Sequence, residues 1–191
     1  MKRICACIFL ALLADTASGA QVPPSAFIWD ADLLFVNFNS EQEEKVRKAV
    51  SLIKKVITSD EFRERVLSHS YEGRPGFVDS NGISNQEIYQ IILNGAEKIG
   101  NNQINHKMDV EIELYTDTTT TIGYTYPTTG RIWMNTKYFN QYTPVKVADN
   151  LMHEWMHKLG FTHAMKYSVS RNYSVPYAIG YLVEELAAKH Q

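Results

Sequence analysis

The sequence predicts an α/β fold, because segments with the apolar spacing of amphipathic helices alternate along the chain with segments patterned as β-strands. Apolar residues recur every three or four positions over residues 41–57, which is the period of a helix that buries one face. Apolar and acidic residues alternate over residues 108–114, which is the period of a half-buried strand. The chain has 191 residues and no internal repeat, so we expect one domain after an N-terminal targeting segment.

The first twenty residues resemble a secretory signal. Lys2 and Arg3 provide a positive start, an apolar run covers residues 4–14, and small residues follow at the expected cleavage site. The alternative is a membrane anchor, but the run is too short to span a bilayer comfortably, and no later segment is long and apolar enough to span one. We therefore predict a signal peptide at residues 1–20, a single domain at residues 21–191, and a secreted or periplasmic location.

Charge and cysteine content exclude several classes of function. The formal net charge is −2 and no basic stripe is present, so the electrostatic signature of a nucleic-acid-binding protein is absent. Both cysteines, Cys5 and Cys7, lie inside the predicted signal. The mature chain would therefore have no disulfide, no thiolate metal site and no thiol nucleophile. An exported protein without disulfides favours a bacterial periplasm or culture medium over an animal secretory route.

The first half of the domain is predicted to contain one strand and three helices. The predicted elements are a strand at 26–38, a helix at 41–57, a short helix at 61–68, a loop at 73–82 and a helix at 84–99. Two capping boxes, Ser40 with Glu43 and Ser84 with Glu87, indicate the starts of the two longer helices.

The second half is predicted to contain three strands and two helices. The predicted elements are strands at 108–114, 118–126 and 131–135, a helix at 144–159 and a last helix at 177–189. The turn formers at 127–130 predict a hairpin over residues 119–135. Thr143 is expected to cap the following helix, with Pro144 at its first position, and Gly160 is expected to end it.

The helix that ends before Gly160 contains the sequence His-Glu-Trp-Met-His, from His153 to His157. Residues four apart lie on one face of a helix, so the two imidazoles can bind one metal ion, and neutral imidazole is a standard zinc ligand. Glu154 can reach a water on the metal without being a ligand and take its proton as general base. Gly160 permits a sharp turn that brings His163 round as third ligand, leaving the fourth position open. We therefore predict one zinc ion per chain.

The motif has two other interpretations. The histidines could be ordinary surface or core residues of a charged helix, since His-Glu-x-x-His alone occurs by chance. The additional Gly160 and His163 make a chance match far rarer. The site could also hold zinc only for stability, but a structural site needs no general base, and Glu154 therefore favours catalysis.

Residues 153–163 match the HExxHxxGxxH signature of the metzincin clan of metallopeptidases, and a looser similarity covers residues 108–163. The resemblance implies a metzincin-like fold: a twisted mixed sheet with an active-site helix, and a short irregular C-terminal subdomain beyond a cleft. It also implies a single metallopeptidase catalytic domain that hydrolyses peptide bonds. In that clan an edge strand pairs with the substrate backbone, a role that would fall to residues 131–135 or 121–126. We expect a peptide or protein substrate and a monomeric chain.

The sequence departs from the clan after the third ligand. Metzincins place a methionine beneath the metal in a Met-turn, but the only methionine after the third histidine is Met165, which is too close to serve. Residues 174–178 resemble such a turn without its methionine, which implies that Pro176 and Tyr177 line the metal instead. Some clan members place a tyrosine near the metal, where it can stabilise the oxyanion. Tyr177 is the candidate for that role, and an ordinary core tyrosine is the equal alternative.

Other histidines and aromatic residues give weaker signals. Three histidines without partner spacing are expected at the surface: His69, His106 and His190. Five aromatic residues are expected to pack in the core and sheet rather than form a sugar-binding strip: Tyr124, Tyr126, Trp133, Tyr138 and Phe139. Tyr173 and Tyr181 are lesser candidates for the tyrosine near the metal.

Two further functions stay open, and so does a possible latch. The chain could be a zinc-binding pseudoenzyme without turnover, or a metal-dependent hydrolase of a non-peptide amide. Asp30 or Asp32 could act as an N-terminal latch, since a carboxylate is a competent zinc ligand. Residues 27–38 read more simply as the first strand of the sheet. We therefore expect a protein that is active once the signal is removed.

Overall fold

A mixed sheet of four strands forms the centre of the fold. The computed structural model describes residues 29–99 and 104–190. In chain order the strands are β1 (Asp30–Val36), β2 (Ser70–Tyr71), β3 (Arg74–Pro75), β4 (Lys107–Tyr115), β5 (Gly123–Thr125) and β6 (Arg131–Asn135). The central sheet has the order β1-β4-β6-β5, with β1, β4 and β6 parallel and β5 antiparallel to β6, whereas β2 and β3 form a separate antiparallel pair. The predicted α/β class is confirmed.

The helices and the sheet share one hydrophobic core. In chain order the helices are α1 (Ser40–Ile57), α2 (Asp60–Leu67), α3 (Asn85–Asn94), α4 (Thr136–Phe139), α5 (Pro144–Lys158) and α6 (Val175–Ala187), with 3-10 turns at Ser170–Tyr173 and Ala188–His190. Alternate residues of β4 are buried in that core: Met108, Val110, Ile112 and Leu114. The acidic residues between them are only half-buried, as the two-residue period predicts. No helix in the described part of the chain is long and apolar enough to cross a membrane.

The ends of α1 and α3 differ from the prediction. The first residue outside α1 is Asn39, whose side chain accepts from the Gln42 N–H (2.9 Å) while the Gln42 side chain accepts from the Asn39 N–H (3.0 Å). The capping box therefore lies one residue before the predicted pair Ser40 and Glu43. The box at the start of α3 is confirmed, but α3 ends at Asn94 rather than 99. Gly95 adopts a φ of 62°, and a Cβ there would lie 2.0 Å from a backbone oxygen, so only glycine fits.

The hairpin before α5 is confirmed, but its strands are unequal. The predicted strand at 118–126 is reduced to Gly123–Thr125, which pairs with β6. Because β6 is paired on both sides, by β4 and by β5, it cannot be an edge strand. The suggestion that residues 131–135 form the substrate-binding edge is therefore wrong, and β5 holds the edge on that side of the sheet.

The N-terminal predictions fall partly outside the structure. The predicted signal peptide at residues 1–20 and residues 26–28 of the predicted strand lie outside the described residues. Strand β1 ends at Val36, because Asn37 takes a left-handed φ of 65°.

Asp30 and Asp32 lie on β1, at the opposite edge of the sheet from β5, where they form ion pairs with Lys54 and Lys107. Neither carboxylate therefore reaches the predicted metal site.

The C-terminal region is less irregular than expected. Residues 164–174 contain only a 3-10 turn, but α6 is a regular helix that starts at Val175, and its buried residues belong to the same core as those of α5. The two helices approach closely at Gly180, where a Cβ would lie 2.6 Å from Asp149 Oδ1. Lys146 donates to Asp149 (2.6 Å) and to Glu184 (2.8 Å), which ties α5 to α6. The expected irregular subdomain is thus limited to the segment between His163 and α6.

A half-buried carboxylate joins α5 to the sheet. Glu97 Oε1 accepts from Trp155 Nε1 (2.6 Å) on α5 and from the Asp109 N–H (2.9 Å) on β4. Burial raises the pKa of Glu97 above its ordinary value, and these two hydrogen bonds oppose the shift. The folded protein therefore holds the proton on Glu97 more tightly than the unfolded chain does. The resulting stability is present at low pH and is lost as the pH rises from about 4.3 through the folded pKa.

We predict that Glu97→Gln gains stability relative to the unsubstituted chain as the pH rises, because glutamine keeps the oxygen acceptor and removes the half-buried charge. The measurement is urea unfolding of the metal-free proteins from about pH 4 to about pH 7. Glu41→Gln, at an exposed position of α1, is the matched control and should show no such trend. A stability difference for Glu97→Gln that does not change over this pH range would contradict the assignment.

Candidate metal centre

Helix α5 begins at Pro144, as the sequence predicts, and ends at Lys158, one residue before the predicted end. Thr143 caps it by accepting from the Lys146 N–H, with Pro144 in its first turn. After the helix, Gly160 takes a φ of +97°. Its N–H donates to the His157 carbonyl (3.1 Å) and the Phe161 N–H donates to the Met156 carbonyl (3.0 Å), which is a Schellman motif. The turn sends the chain back along the helix.

This turn brings the three predicted ligands together. One ring nitrogen from each of His153, His157 and His163 lies within 4.8 Å of the others, and the Nε2 atoms of His153 and His163 are 3.2 Å apart. Burial lowers the pKa of His153 to about 3, and the neighbouring histidines add to the effect. Burial also lowers the pKa of His157. These two rings are therefore neutral at pH 7, the form in which imidazole binds metals.

Backbone carbonyls accept hydrogen bonds from two of the imidazoles. His157 Nδ1 lies 2.8 Å from the Phe161 oxygen, and His163 Nδ1 lies 3.1 Å from the Ala164 oxygen. The backbone of Pro176 lies near the third ring, where it opposes the lowering of the His153 pKa. A nitrogen that donates to a carbonyl carries the proton, so the other nitrogen keeps a lone pair for a metal. The three residues therefore fit a divalent metal such as zinc.

Glu154 is buried next to this cluster. Its side chain follows His153 on α5 and is 5% exposed. Burial raises the pKa of Glu154 to about 8, and the positive charge of Lys158 opposes the shift. Because the carboxylate is poorly solvated, it holds a proton more strongly than an exposed glutamate would, which suits a general base near neutral pH.

The three candidate tyrosines lie in different surroundings. The Tyr177 ring packs edge-on against His153 (ring centroids 4.4 Å apart) and lies 4.7 Å from the His163 ring. Tyr181 is one ring further away, 5.9 Å from Tyr177. Tyr173 packs elsewhere, against Tyr71. Met165 is 89% exposed and does not line the cluster. Tyr177 is therefore the tyrosine that the structure brings to the ligands.

The histidines outside the cluster are not all at the surface. His106 and His190 are exposed, as predicted. His69 is half-buried and stacks on Phe77, with ring centroids 3.8 Å apart and planes 11° from parallel, so its expected surface position is wrong. Burial lowers the pKa of His69. Because the stacking partner Phe77 lies outside the local spacing of a helix or strand, the sequence does not predict this contact.

Two residues that support the site carry no motif. Lys158 follows His157 and is 1% exposed, and its ammonium donates to the Tyr126 carbonyl (3.0 Å) and to the Thr129 carbonyl. It therefore fixes the turn between β5 and β6 to the metal-binding helix. Its spacing of four residues from Glu154 was the one available sequence signal. Burial lowers the pKa of Lys158 to about 8, and the charge of Glu154 opposes the shift.

The second supporting residue is Asp79, in the loop after β3. Its carboxylate accepts from the Ala164 N–H (3.2 Å), and the carbonyl of the same Ala164 holds the His163 ring. The adjacent Val78 N–H donates to the Tyr173 carbonyl (2.9 Å). The loop thus anchors both ends of the segment between His163 and α6. No local sequence pattern indicates a contact over such a distance along the chain.

The edge strand lies close to the metal-binding helix. A Cβ at Gly123 in β5 would lie 3.0 Å from Asn150 Oδ1 on α5, one turn before His153.

Comparisons with models of protein families, with curated proteins and with solved structures found no match. The likeness to metzincins therefore rests on the sequence motif and on the residues just described.

We predict that the purified chain contains about one zinc ion, and that His157→Ala loses it, because two imidazoles cannot complete a tetrahedral site. Metal analysis after dialysis measures the stoichiometry. His190→Ala, which removes an exposed histidine outside the cluster, is the control and should keep the metal. Stoichiometric zinc in His157→Ala would show that the ligands have been assigned wrongly.

We predict that Lys158→Met loosens the hairpin while zinc binding is kept, because methionine fills the space but leaves the Tyr126 and Thr129 carbonyls without their donor. Hydrogen exchange should become faster at the amides of β5 and β6. Lys48→Met replaces an exposed lysine of α1 and should leave these amides unchanged. Equally slow exchange of the β5 and β6 amides in both variants would show that Lys158 does not stabilise the hairpin.

Proposed function

We propose that the chain is an exported zinc-dependent endopeptidase. The observation that carries the proposal is the convergence of three imidazoles, two of which have one nitrogen held by a backbone carbonyl, at a helix that also buries the adjacent carboxylate. A site that served only stability would need the ligands but would gain nothing from burying Glu154, since an uncompensated buried carboxylate costs stability. The arrangement therefore supports catalysis over structural metal binding.

Zinc held by His153, His157 and His163 would supply a Lewis acid that polarises a scissile carbonyl and makes water more acidic. The residues of the chain supply the proton transfers. Glu154 takes a proton from the attacking water and delivers it to the leaving amine, a task that a base with a pKa near neutrality performs well. Tyr177, packed against two of the imidazoles, is placed to donate its hydroxyl proton to the developing oxyanion.

Strand β5 favours a peptide as substrate. One side of β5 pairs with β6, and the other side is an edge of the sheet close to α5. An extended peptide can add to such an edge through main-chain hydrogen bonds, which reads the backbone and tolerates many side chains. A hydrolase of small amides would not need this edge to bind its substrate. Cleavage of denatured casein but not of small amides would distinguish a peptidase from such a hydrolase.

We predict that Glu154→Gln keeps the fold and the zinc but loses about 10²–10⁴-fold in the rate of casein cleavage, because the attacking water then has no base. The measurements are the turnover rate and the zinc content of each purified variant. Glu64→Gln removes an exposed carboxylate from α2 and should cleave at the normal rate. A zinc-binding pseudoenzyme would show no cleavage with Glu154 intact, and near-normal cleavage by Glu154→Gln would exclude Glu154 as the base.

A further inference from the structure

Among the residues that the structure describes, Arg171 has no carboxylate partner. Its charged group forms no ion pair with any of them, although Arg65 binds Glu185 and Arg131 binds two glutamates. Within the same residues its Nη1 donates only to the Met165 carbonyl (3.3 Å), and its Nε is buried without a hydrogen-bond partner. A half-buried guanidinium that lacks an anion has unused capacity to bind one.

This guanidinium lies beside the metal centre. Its central carbon is 4.6 Å from the centroid of the Tyr177 ring, and that ring contacts His153 and His163. One aromatic ring therefore separates the charge from two of the three ligands. On another side, Tyr167 lies 5.5 Å from the guanidinium and is 72% exposed, so solvent reaches this part of the site. The two rings fix the guanidinium without neutralising it.

The other charged groups around the cluster are already engaged. Lys158 is buried and bound to two carbonyls, and Lys146 is bound to Asp149 and Glu184. The Asp79 carboxylate accepts from a backbone N–H of the third-ligand segment. Of these charged groups, Arg171 is the half-buried cation against the cluster that is left to meet an anion from outside the chain.

We propose that Arg171 binds a carboxylate of the substrate next to the scissile bond, so that the protein selects acidic peptides. The proposal rests on the peptidase function proposed above. Guanidinium matches a carboxylate through two parallel N–H···O bonds, which lysine cannot form. The carboxylate could belong to an Asp or Glu side chain or to the C-terminus of the peptide, and the two sources can be separated by experiment.

The test is peptide binding to the zinc-loaded Glu154→Gln variant, in which bound peptides are not cut. Short acetylated and amidated alanine peptides carry one glutamate at each position in turn, and matched peptides carry glutamine. An all-alanine peptide with a free C-terminus is compared with its amidated form. We expect one carboxylate to tighten binding about tenfold to a hundredfold, the range for charge-assisted hydrogen bonds. The peptide that shows this effect identifies the source.

Substitution of Arg171 in the same background decides its role. Arg171→Gln should abolish the preference for the carboxylate and leave the affinity for the neutral peptides unchanged, and Arg171→Lys should recover only part of it. Equal weakening for acidic and neutral peptides would mean that Arg171 merely braces Tyr177, and would overturn the proposal. Equal binding of acidic and neutral peptides by the Glu154→Gln variant with Arg171 intact would also overturn the proposal. Failure of the peptidase function itself would be seen separately, as absence of casein cleavage when Glu154 is intact.

Discussion

Hydrogen bonds from two imidazoles to backbone carbonyls, with a third carbonyl near the remaining ring, are the constraint on which the candidate metal centre depends. Each carbonyl comes from a different segment: Phe161 after the Schellman turn, Ala164 after the third ligand, and Pro176 at the start of α6. An imidazole held in one tautomer and orientation presents a lone pair in a fixed direction. The segments that carry these carbonyls must therefore be fixed to within a fraction of a hydrogen-bond length, and the rest of the fold can be understood as the means of fixing them.

Each segment is fixed by a different physical device. Gly160 supplies a left-handed backbone conformation that other residues resist, which positions Phe161. The Asp79 carboxylate holds the peptide of Ala164 from a loop distant in sequence. Gly180 lets α6 approach α5 without a side chain in between, which brings the start of α6 to His153. Loss of any one device would move one carbonyl, so the site needs the whole domain and not the zinc motif alone.

The parts of this design that are local could be predicted from sequence, and those that are long-range could not. Helix α5, its cap at Thr143 and the turn at Gly160 follow from residues within a few positions of one another. The cap of α1 was misplaced by one residue, because two good capping residues stand side by side and only reciprocal bonding to Gln42 decides between them. The roles of Asp79 and Lys158 depend on contacts with distant segments, which no periodicity or spacing encodes.

Tyr177 shows how an aromatic ring can support the three histidines without a methionine beneath them. A methionine there would provide an apolar surface that limits the movement of the rings. Here the Tyr177 ring covers His153 edge-on and also contacts His163, while the neighbouring Pro176 backbone lies near His153. An aromatic ring with two rotatable bonds restricts its neighbours at least as well as a flexible thioether does. It also brings a hydroxyl and a surface on which Arg171 stacks, neither of which methionine can offer. Tyr177 therefore adds polar chemistry to the site while the histidines stay supported.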